Sequence, residues 1–218
     1  MTDHRVLICD DHWIVRQAIR QRIDDLEGFT VVEEVGDGAE VKPAVRKLHP
    51  DLVLLDIEMP NVNGIESMRR ILSRFPEIRI LVYTAHDDPS LVRLASREGA
   101  SGFLVKSADL DQIRDACETV MAGERWFPGY TDKDLQQEDE LKRFMELSDR
   151  EREVLALLAT GMRAQGAAEE IGIRTATVYT HVRNVVNKLG VDTRTQAVAI
   201  ATRYAFLDRD PEKPPTAR

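Results

Sequence analysis

Residues 51–64 read DLVLLDIEMPNVNG, an apolar run that ends at Asp56 and is followed two positions later by Glu58. A short apolar run of this kind predicts a buried strand. A fully buried carboxylate without a partner is costly, so Asp56 either faces solvent, caps the next helix, or belongs to a site at the end of the strand. The residues that follow the other strands decide among these alternatives.

Five such runs alternate with helical patterns in residues 1–127. The runs are RVLIC, FTVVEEV, DLVLLD, RILVYT and GFLVK, and the helical patterns begin near Trp13, Ala39, Gly64, Pro89 and Asp109. Several runs are apolar throughout, as expected of parallel strands covered by helices on both faces. We therefore predict an α/β domain with a five-stranded doubly wound parallel sheet. Pro43 interrupts the second helical pattern and is expected in the first turn of its helix.

Composition sets the outer limits of the interpretation. The chain has 218 residues, 43% of them hydrophobic and 31% charged, which suits two ordinary globular domains. The two cysteines, Cys9 and Cys117, show no disulfide or zinc-site spacing. The sequence has neither the apolar core of a signal peptide nor an apolar run long enough to cross a bilayer. We expect a cytoplasmic protein with no membrane partner.

Polar side chains follow four of the five predicted strands. Asp10 and Asp11 follow the first strand, Asp56 the third, Thr84 the fourth and Lys106 the fifth. Ligands bind at the carboxyl ends of the strands in such sheets. Clustered carboxylates repel one another unless a cation neutralises them, and oxygen ligands suit Mg²⁺. This set predicts phosphoryl chemistry, with Asp56 as the nucleophile and Thr84 and Lys106 in contact with the other phosphate oxygens.

Four motifs carry a resemblance to a known family. The stretches ICDDH, LLDIEMPNVNG, VYTAH and GFLVK resemble the receiver domain of two-component response regulators, which has a flavodoxin-like fold, over about the first 125 residues. The resemblance implies that a sensor histidine kinase phosphorylates Asp56. It also implies that Mg²⁺ is bound by Asp10, Asp11, Asp56 and the main-chain carbonyl of Glu58.

The same resemblance implies a conformational switch. Thr84 would move toward the phosphate, Lys106 would contact it, and Phe103 takes the position of the family's aromatic switch residue. Relatives often have tyrosine there, so Phe103 lacks one hydroxyl that could form a hydrogen bond.

An enzyme is the first alternative. Phosphatases with an aspartate nucleophile share the acids, the hydroxyl and the lysine, but in those enzymes the nucleophile ends an early strand and the acidic pair comes late. Here the acidic pair comes first. The motifs GxSxG, GxxxxGK[ST] and HExxH are absent from the sequence. We therefore expect that the protein is not an enzyme.

The pattern changes after residue 127. Residues 128–146 are read as a linker with some helical content. Ser148 and Glu151 have the spacing of a capping box, and Gly161 marks the end of the helix that follows. Residues 164–207 then predict three more helices, two of them joined by a short glycine-containing turn as in a helix-turn-helix. The acidic residues outnumber the basic ones by 23 to 16 in residues 1–127, but number 6 against 8 in residues 147–207, which favours a polyanion as the partner of the second domain.

The second helix of that pair has a polar outer face. It presents Thr177, Tyr179, Thr180, Arg183, Asn184, Asn187 and Lys188 away from the predicted core. These residue types contact phosphates and base edges in the major groove of DNA. A helical adaptor that binds protein through the same face is the alternative.

A second resemblance bears on this alternative. The stretches LSDREREVLALLATG, AAEEIGI, TVYTHVRNVVNKLGV and TRTQAVAIA resemble the LuxR-type DNA-binding domain over about residues 147–205. Gly166, Ala167 and Tyr179 depart from the family's usual residues. Together the two resemblances indicate a response regulator of the NarL/FixJ type. They imply double-stranded promoter DNA, a homodimer formed on phosphorylation and RNA polymerase as partners.

We thus predict four segments. They are a receiver domain at 1–127, a linker at 128–146, a small all-α domain of four helices at 147–207, and a disordered tail at 208–218.

Overall fold

The computed structural model describes residues 3–136 and 140–204, which fall into two compact units. The chain divides between residues 137 and 138, inside the predicted linker. The other predicted domain boundaries stay predictions, and the predicted tail at 208–218 lies outside the described residues. No helix in the described ranges is long and apolar enough to span a membrane.

The first unit is built on a five-stranded parallel sheet. The strands are β1 (His4–Cys9), β2 (Phe29–Val35), β3 (Leu52–Leu55), β4 (Arg79–Thr84) and β5 (Gly102–Val105). They lie in the order β2-β1-β3-β4-β5. They alternate with α1 (Trp13–Asp24), α2 (Gly38–Leu48), α3 (Gly64–Leu72), α4 (Pro89–Arg97) and α5 (Leu110–Met121). The predicted α/β fold is confirmed.

The register of the central strands fixes where the strand-end residues lie. Cys9 pairs with Leu55 and Thr84 pairs with Val105. The pairing continues one residue further, since the amide of Asp56 donates to the Cys9 carbonyl at 2.8 Å and that of Lys106 to the Thr84 carbonyl at 2.7 Å. Because Leu55 pairs with Val82, Thr84 and Lys106 lie one and two residues beyond the level of Asp56, at the same edge of the sheet.

Pro43 lies outside the first turn of its helix, so that expectation was wrong. It is the sixth residue of α2, which starts at Gly38 and is capped by the Asp37 side chain, an acceptor for the Ala39 amide at 2.8 Å. Proline has no amide hydrogen, so the helix forgoes one bond at this position. Pro43 is on the exposed side of α2. Packing of Val41 and Val45, both fully buried, holds the helix despite the missing bond.

The chain after α5 covers the outer edge of the sheet. The Phe103 amide donates to the Trp126 carbonyl at 2.9 Å, and the Trp126 amide donates to the Ser101 carbonyl at 3.0 Å. A short helix, α6 (Asp132–Gln136), then packs on α4 and buries Leu135. Trp126 also lies against the core to which α5 contributes, and no pattern in the sequence indicates its main-chain pairing with β5.

The second unit is helical, as predicted. Its helices are α7 (Glu140–Met145), α8 (Asp149–Ala159), α9 (Ala164–Glu170), α10 (Thr175–Leu189) and α11 (Arg194–Tyr204). The predicted capping box forms at the start of α8, where the Ser148 amide donates to Glu151 at 2.8 Å. Gly161 follows that helix with a φ of 88°, a conformation that favours glycine. The helix α7 was not predicted as part of this domain.

Candidate functional site

Asp10, Asp56 and Lys106 meet at the carboxyl ends of β1, β3 and β5. Asp10 and Asp56 are almost completely buried, with 1% and 3% of their respective surfaces exposed. The Lys106 ammonium lies 2.6 Å from Asp10 Oδ2 and 2.7 Å from Asp56 Oδ2, so one cation bridges two acids. The predicted convergence of these three side chains is what the structure shows.

The ionisation of Asp56 is set mainly by burial. Burial raises the pKa of Asp56 above its ordinary value of 3.8. The hydrogen bond and the positive charge of Lys106 lower this pKa, and so does a hydrogen bond with Thr84. The negative charge of Asp10 raises it further. The pKa of Lys106 is raised as well, because the bonds to Asp10 and Asp56 outweigh the effect of burial. The second oxygen of Asp56, Oδ1, is buried and has no hydrogen-bond partner among the described residues.

Asp11 and His12 extend the acidic group toward solvent. Ligand atoms of Asp10, Asp11 and His12 lie within 4.8 Å of one another. The His12 ring Nδ1 is 2.6 Å from Asp11 Oδ1, and the His12 amide donates to Asp10 Oδ1 at 2.9 Å. These carboxylates, with the unpartnered Oδ1 of Asp56, offer the hard oxygens that Mg²⁺ takes, and a divalent cation would relieve the repulsion among them.

Thr84 lies beside Asp56, whereas Glu58 points elsewhere. Thr84 is fully buried and interacts with Asp56 through its hydroxyl, which also accepts from the His86 amide at 3.5 Å. The Glu58 side chain pairs with the His86 ring at 3.3 Å between Oε1 and Nε2. The role assigned to the Glu58 carbonyl stays a prediction.

Phe103 is buried next to a cavity of about 220 Å³. Other residues around this cavity come from α4 and from the chain that follows α5, among them Val92, Phe127 and Tyr130. Residues of α4 and of the segment after α5 therefore cover Phe103 within the receiver unit. No pattern in the sequence indicates this covering, because it depends on the pairing of Trp126 with the sheet edge.

Three further residues support the site and were not predicted. Arg16 donates to the Asp10 carbonyl at 2.7 Å, and Tyr83 donates to the Lys106 carbonyl at 3.4 Å. Gly64 lets α3 begin against the strand end, since a Cβ there would lie 2.0 Å from the Asp56 carbonyl oxygen. Only the glycine stood in a motif that could have indicated its role, the NG pair at 63–64.

The outer face of α10 is as polar and exposed as predicted. Its exposed residues include Thr177, Tyr179, Thr180, Arg183, Asn184, Asn187 and Lys188. The opposite face buries Val178, Val185 and Leu189, while Val182 is half-buried. Lys188 differs from the other six because its ammonium lies 2.7 Å from Oε2 of the buried Glu151 on α8.

Comparisons with known proteins agree with both units. Residues 6–118 match the family Response regulator receiver domain, and residues 145–201 match the family Bacterial regulatory proteins, luxR family. The chain is a response regulator with a LuxR-type DNA-binding domain. It is 34% identical to the transcriptional regulatory protein LnrK of Bacillus subtilis over 92% of this chain and 97% of that protein. It is also 34% identical to the transcriptional regulatory protein DegU of Brevibacillus brevis, over 93% and 94%. These relatives place the response regulator in the NarL/FixJ type.

Solved structures support the same assignment. The response regulator ChrA of a heme-sensing two-component system shares 31% identity over 94% of this chain and all of that one, with a TM-score of 0.53. The RcsB response regulator of Salmonella typhimurium shares the fold, with a TM-score of 0.58 and 24% identity. That match covers 93% of this chain and 100% of the RcsB chain.

The relatives also decide between the alternatives left open by the sequence. They are transcription regulators with a receiver and a helix-turn-helix domain. The response regulator is accordingly a DNA-binding regulator, not an aspartate phosphatase or a protein-binding adaptor.

Proposed function

We propose that a sensor histidine kinase phosphorylates Asp56 and that this modification controls dimerisation and promoter binding. The observation that carries the proposal is the state of the Asp56 carboxylate. Lys106 holds one oxygen, while Oδ1 is buried with no hydrogen-bond partner in the described part of the chain. Burial has also raised the pKa of this group. An oxygen in this condition is a competent nucleophile once a cation and the incoming phosphoryl group are beside it.

Mg²⁺ would be held by Asp10, Asp11, Asp56 and the main-chain carbonyl of Glu58. The metal supplies charge neutralisation for the transferring group. Asp56 Oδ1 forms the bond to phosphorus while the bond between phosphorus and the donor breaks.

Two side chains are placed to hold the new phosphate. Lys106 stays anchored by Asp10 and can bind one phosphate oxygen. The Thr84 hydroxyl, next to Asp56 before transfer, can donate to another. Phe103, buried beside its cavity, would respond to a movement of Thr84 in the manner of the family's switch residue.

The output is promoter recognition by α10. Its exposed face carries hydroxyl, amide and guanidinium groups, the donors and acceptors that contact phosphates and base edges in the major groove. A symmetric dimer would place two copies of α10 on half-sites about one helical turn apart. RNA polymerase is the remaining proposed partner, because a promoter-bound regulator acts on transcription at the polymerase. The protein would act in the cytoplasm, where promoter DNA lies.

Phosphate incorporation tests the assignment directly. Wild type, Asp56→Asn and Asp51→Asn are incubated with a small phosphodonor and Mg²⁺. Mass spectrometry of the intact proteins then measures how much phosphate each has incorporated. Asp51 is a matched control because it precedes the same strand but is exposed. We expect wild type and Asp51→Asn to take up phosphate, to dimerise in sedimentation and to protect a two-part DNA site. Equal incorporation into Asp56→Asn would contradict the proposal.

A further inference from the structure

The helix α7 belongs to the core of the DNA-binding unit, although most of it precedes the segment that matches the LuxR family. Leu141 and Phe144 are completely buried. The Phe144 ring lies 5.9 Å from that of Tyr204, and Arg203 of α11 pairs with Glu140 at 2.7 Å. The predicted linker therefore ends in a structural element of the second unit.

This helix also contacts the end of α10. The Arg143 guanidinium donates to the carbonyl of Leu189, the last residue of α10, at 3.2 Å. Gly190 follows with a φ of 68°, and a Cβ at that position would lie 2.8 Å from Arg143 Nη1. The last carbonyls of a helix lack partners within the helix and carry partial negative charge, so a cation is stabilising there. Arg143 thus caps the carboxyl end of α10.

We propose that Arg143 is a positioning residue for DNA reading, and that α7 is the part of the DNA-binding unit through which the receiver alters the recognition helix. The inference rests on the proposed function, since it takes α10 to be the helix that reads DNA.

The order of elements along the chain supports this route. The helix α6 packs on α4 within the receiver unit, and its Leu135 is buried. Only residues 137–139 separate α6 from α7 in the sequence. The first helix of the second unit that follows α6 along the chain is therefore α7. Arg143 connects α7 to α10 directly.

The test uses the full chain and a duplex operator selected in vitro with the wild-type protein. Binding of operator and scrambled DNA is titrated against salt, with and without beryllofluoride as the phosphate analogue. The variant is Arg143→Met, which keeps the apolar stem and removes the donor. The matched control is Arg150→Met, because Arg150 donates to the carbonyl of Ile171, which caps the end of α9, at 2.6 Å.

We expect Arg143→Met to lower the ratio of operator to scrambled affinity roughly tenfold, within the usual range of coupling between sites. We also expect the gain in affinity from beryllofluoride to shrink by a similar factor, whereas Arg150→Met keeps that gain. The slope of log affinity against log salt should not change, because Arg143 positions the helix and does not neutralise a phosphate.

Three results would overturn the inference. If Arg143→Met keeps the wild-type ratio of operator to scrambled affinity and the wild-type response to beryllofluoride, the contact between Arg143 and Leu189 does not affect DNA reading. A salt slope reduced by about one unit shows a direct phosphate contact instead. If the wild-type protein binds no duplex at all, the proposed function fails and this inference fails with it. The first two results leave DNA binding by the wild type intact, so the two failures can be distinguished.

A second measurement covers the case that Arg143→Met does not fold. Amide exchange at residues 186–191 is compared in the wild-type chain with and without beryllofluoride. We expect protection there to change with the analogue, and to do so also in Arg143→Lys, which keeps a donor. Unchanged protection in both proteins would contradict the inference.

Discussion

Lys106 and Asp56 form a buried ion pair of 2.7 Å, and the same ammonium lies 2.6 Å from Asp10. The arrangement holds two acids together before any metal or phosphate binds. It also keeps a cation beside the proposed phosphoacceptor.

Replacement of Lys106 by Met should destabilise the receiver unit. Two buried carboxylates would lose their cation, and breaking a buried pair costs about 3–5 kcal/mol. Urea unfolding of the full chain measures the change, with Lys47→Met as the control because Lys47 is exposed on α2. The control should stay within about 0.5 kcal/mol of wild type. Similar values for both variants would show that the ion pair contributes nothing.

Replacement of Asp56 by Asn should instead stabilise the receiver unit at pH 7. Burial raises the pKa of Asp56 in the folded protein, so the ionised form costs stability above that raised pKa. The cost is lost as pH falls through the folded pKa toward 3.8, the ordinary value. We expect a gain of about 1.4 kcal/mol for each unit by which the folded pKa exceeds the ordinary value.

Unfolding curves of wild type and Asp56→Asn between pH 4 and 8 measure this gain. It should shrink at the acid end, and Mg²⁺ should stabilise wild type more than the variant. A gain that is independent of both pH and Mg²⁺ would not fit the structure.

Lys188 should prove to be a structural residue more than a DNA contact. Burial alone would raise the pKa of Glu151, but bonds from Lys188 and Ser148 outweigh it and hold that pKa below 4.5. The resulting stabilisation is present above pH 4.5 and is lost as pH falls through the lowered pKa. Lys188→Met should therefore cost about 1–3 kcal/mol at pH 7 and less as the pH falls through that lowered pKa.

Thermal unfolding against pH tests the role of Lys188, with Arg183→Met as the exposed control on the same helix. Equal stability of the two variants at pH 7 would favour a role in DNA binding for both.

Arg183 and Tyr179 should affect DNA binding in different ways. Arg183→Ala should weaken operator and scrambled DNA alike and flatten the log-affinity against log-salt slope by about one unit. Tyr179, exposed near the start of α10, should alter preference among sequences, at roughly 1–3 kcal/mol for a lost base contact. Salt titrations of Arg183→Ala and Tyr179→Ala measure both. Were neither variant to change affinity, slope or preference, α10 would not be the reading helix.

The strands and their end residues could be predicted because both depend on local pattern. Apolar runs covered by helices form parallel strands, and once the strands are parallel, Asp56, Thr84 and Lys106 must reach one edge. The capping box at Ser148 could be predicted for the same reason, since its two residues are three apart.

The remaining features depend on contacts between distant parts of the chain. A helical pattern places Lys188 outward, but a lysine stem is long enough to reach Glu151 on another helix. The helix α7 has only six residues, too few for its period to stand out, and its burial against Tyr204 is tertiary. Pro43 was misplaced because packing of Val41 and Val45 overrides its local effect.

The pairing of Trp126 with β5 has a consequence for solubility. A sheet edge with free amide and carbonyl groups can recruit strands from other molecules. In this chain one edge of the sheet is already hydrogen-bonded by residues after α5, at Ser101 and Phe103. The opposite edge strand, β2, carries Glu33 and Glu34, and charges on an edge oppose such association. A receiver fragment that stops before Arg125 would expose the β5 edge and become prone to aggregate, so a fragment intended to stay monomeric should extend through α6.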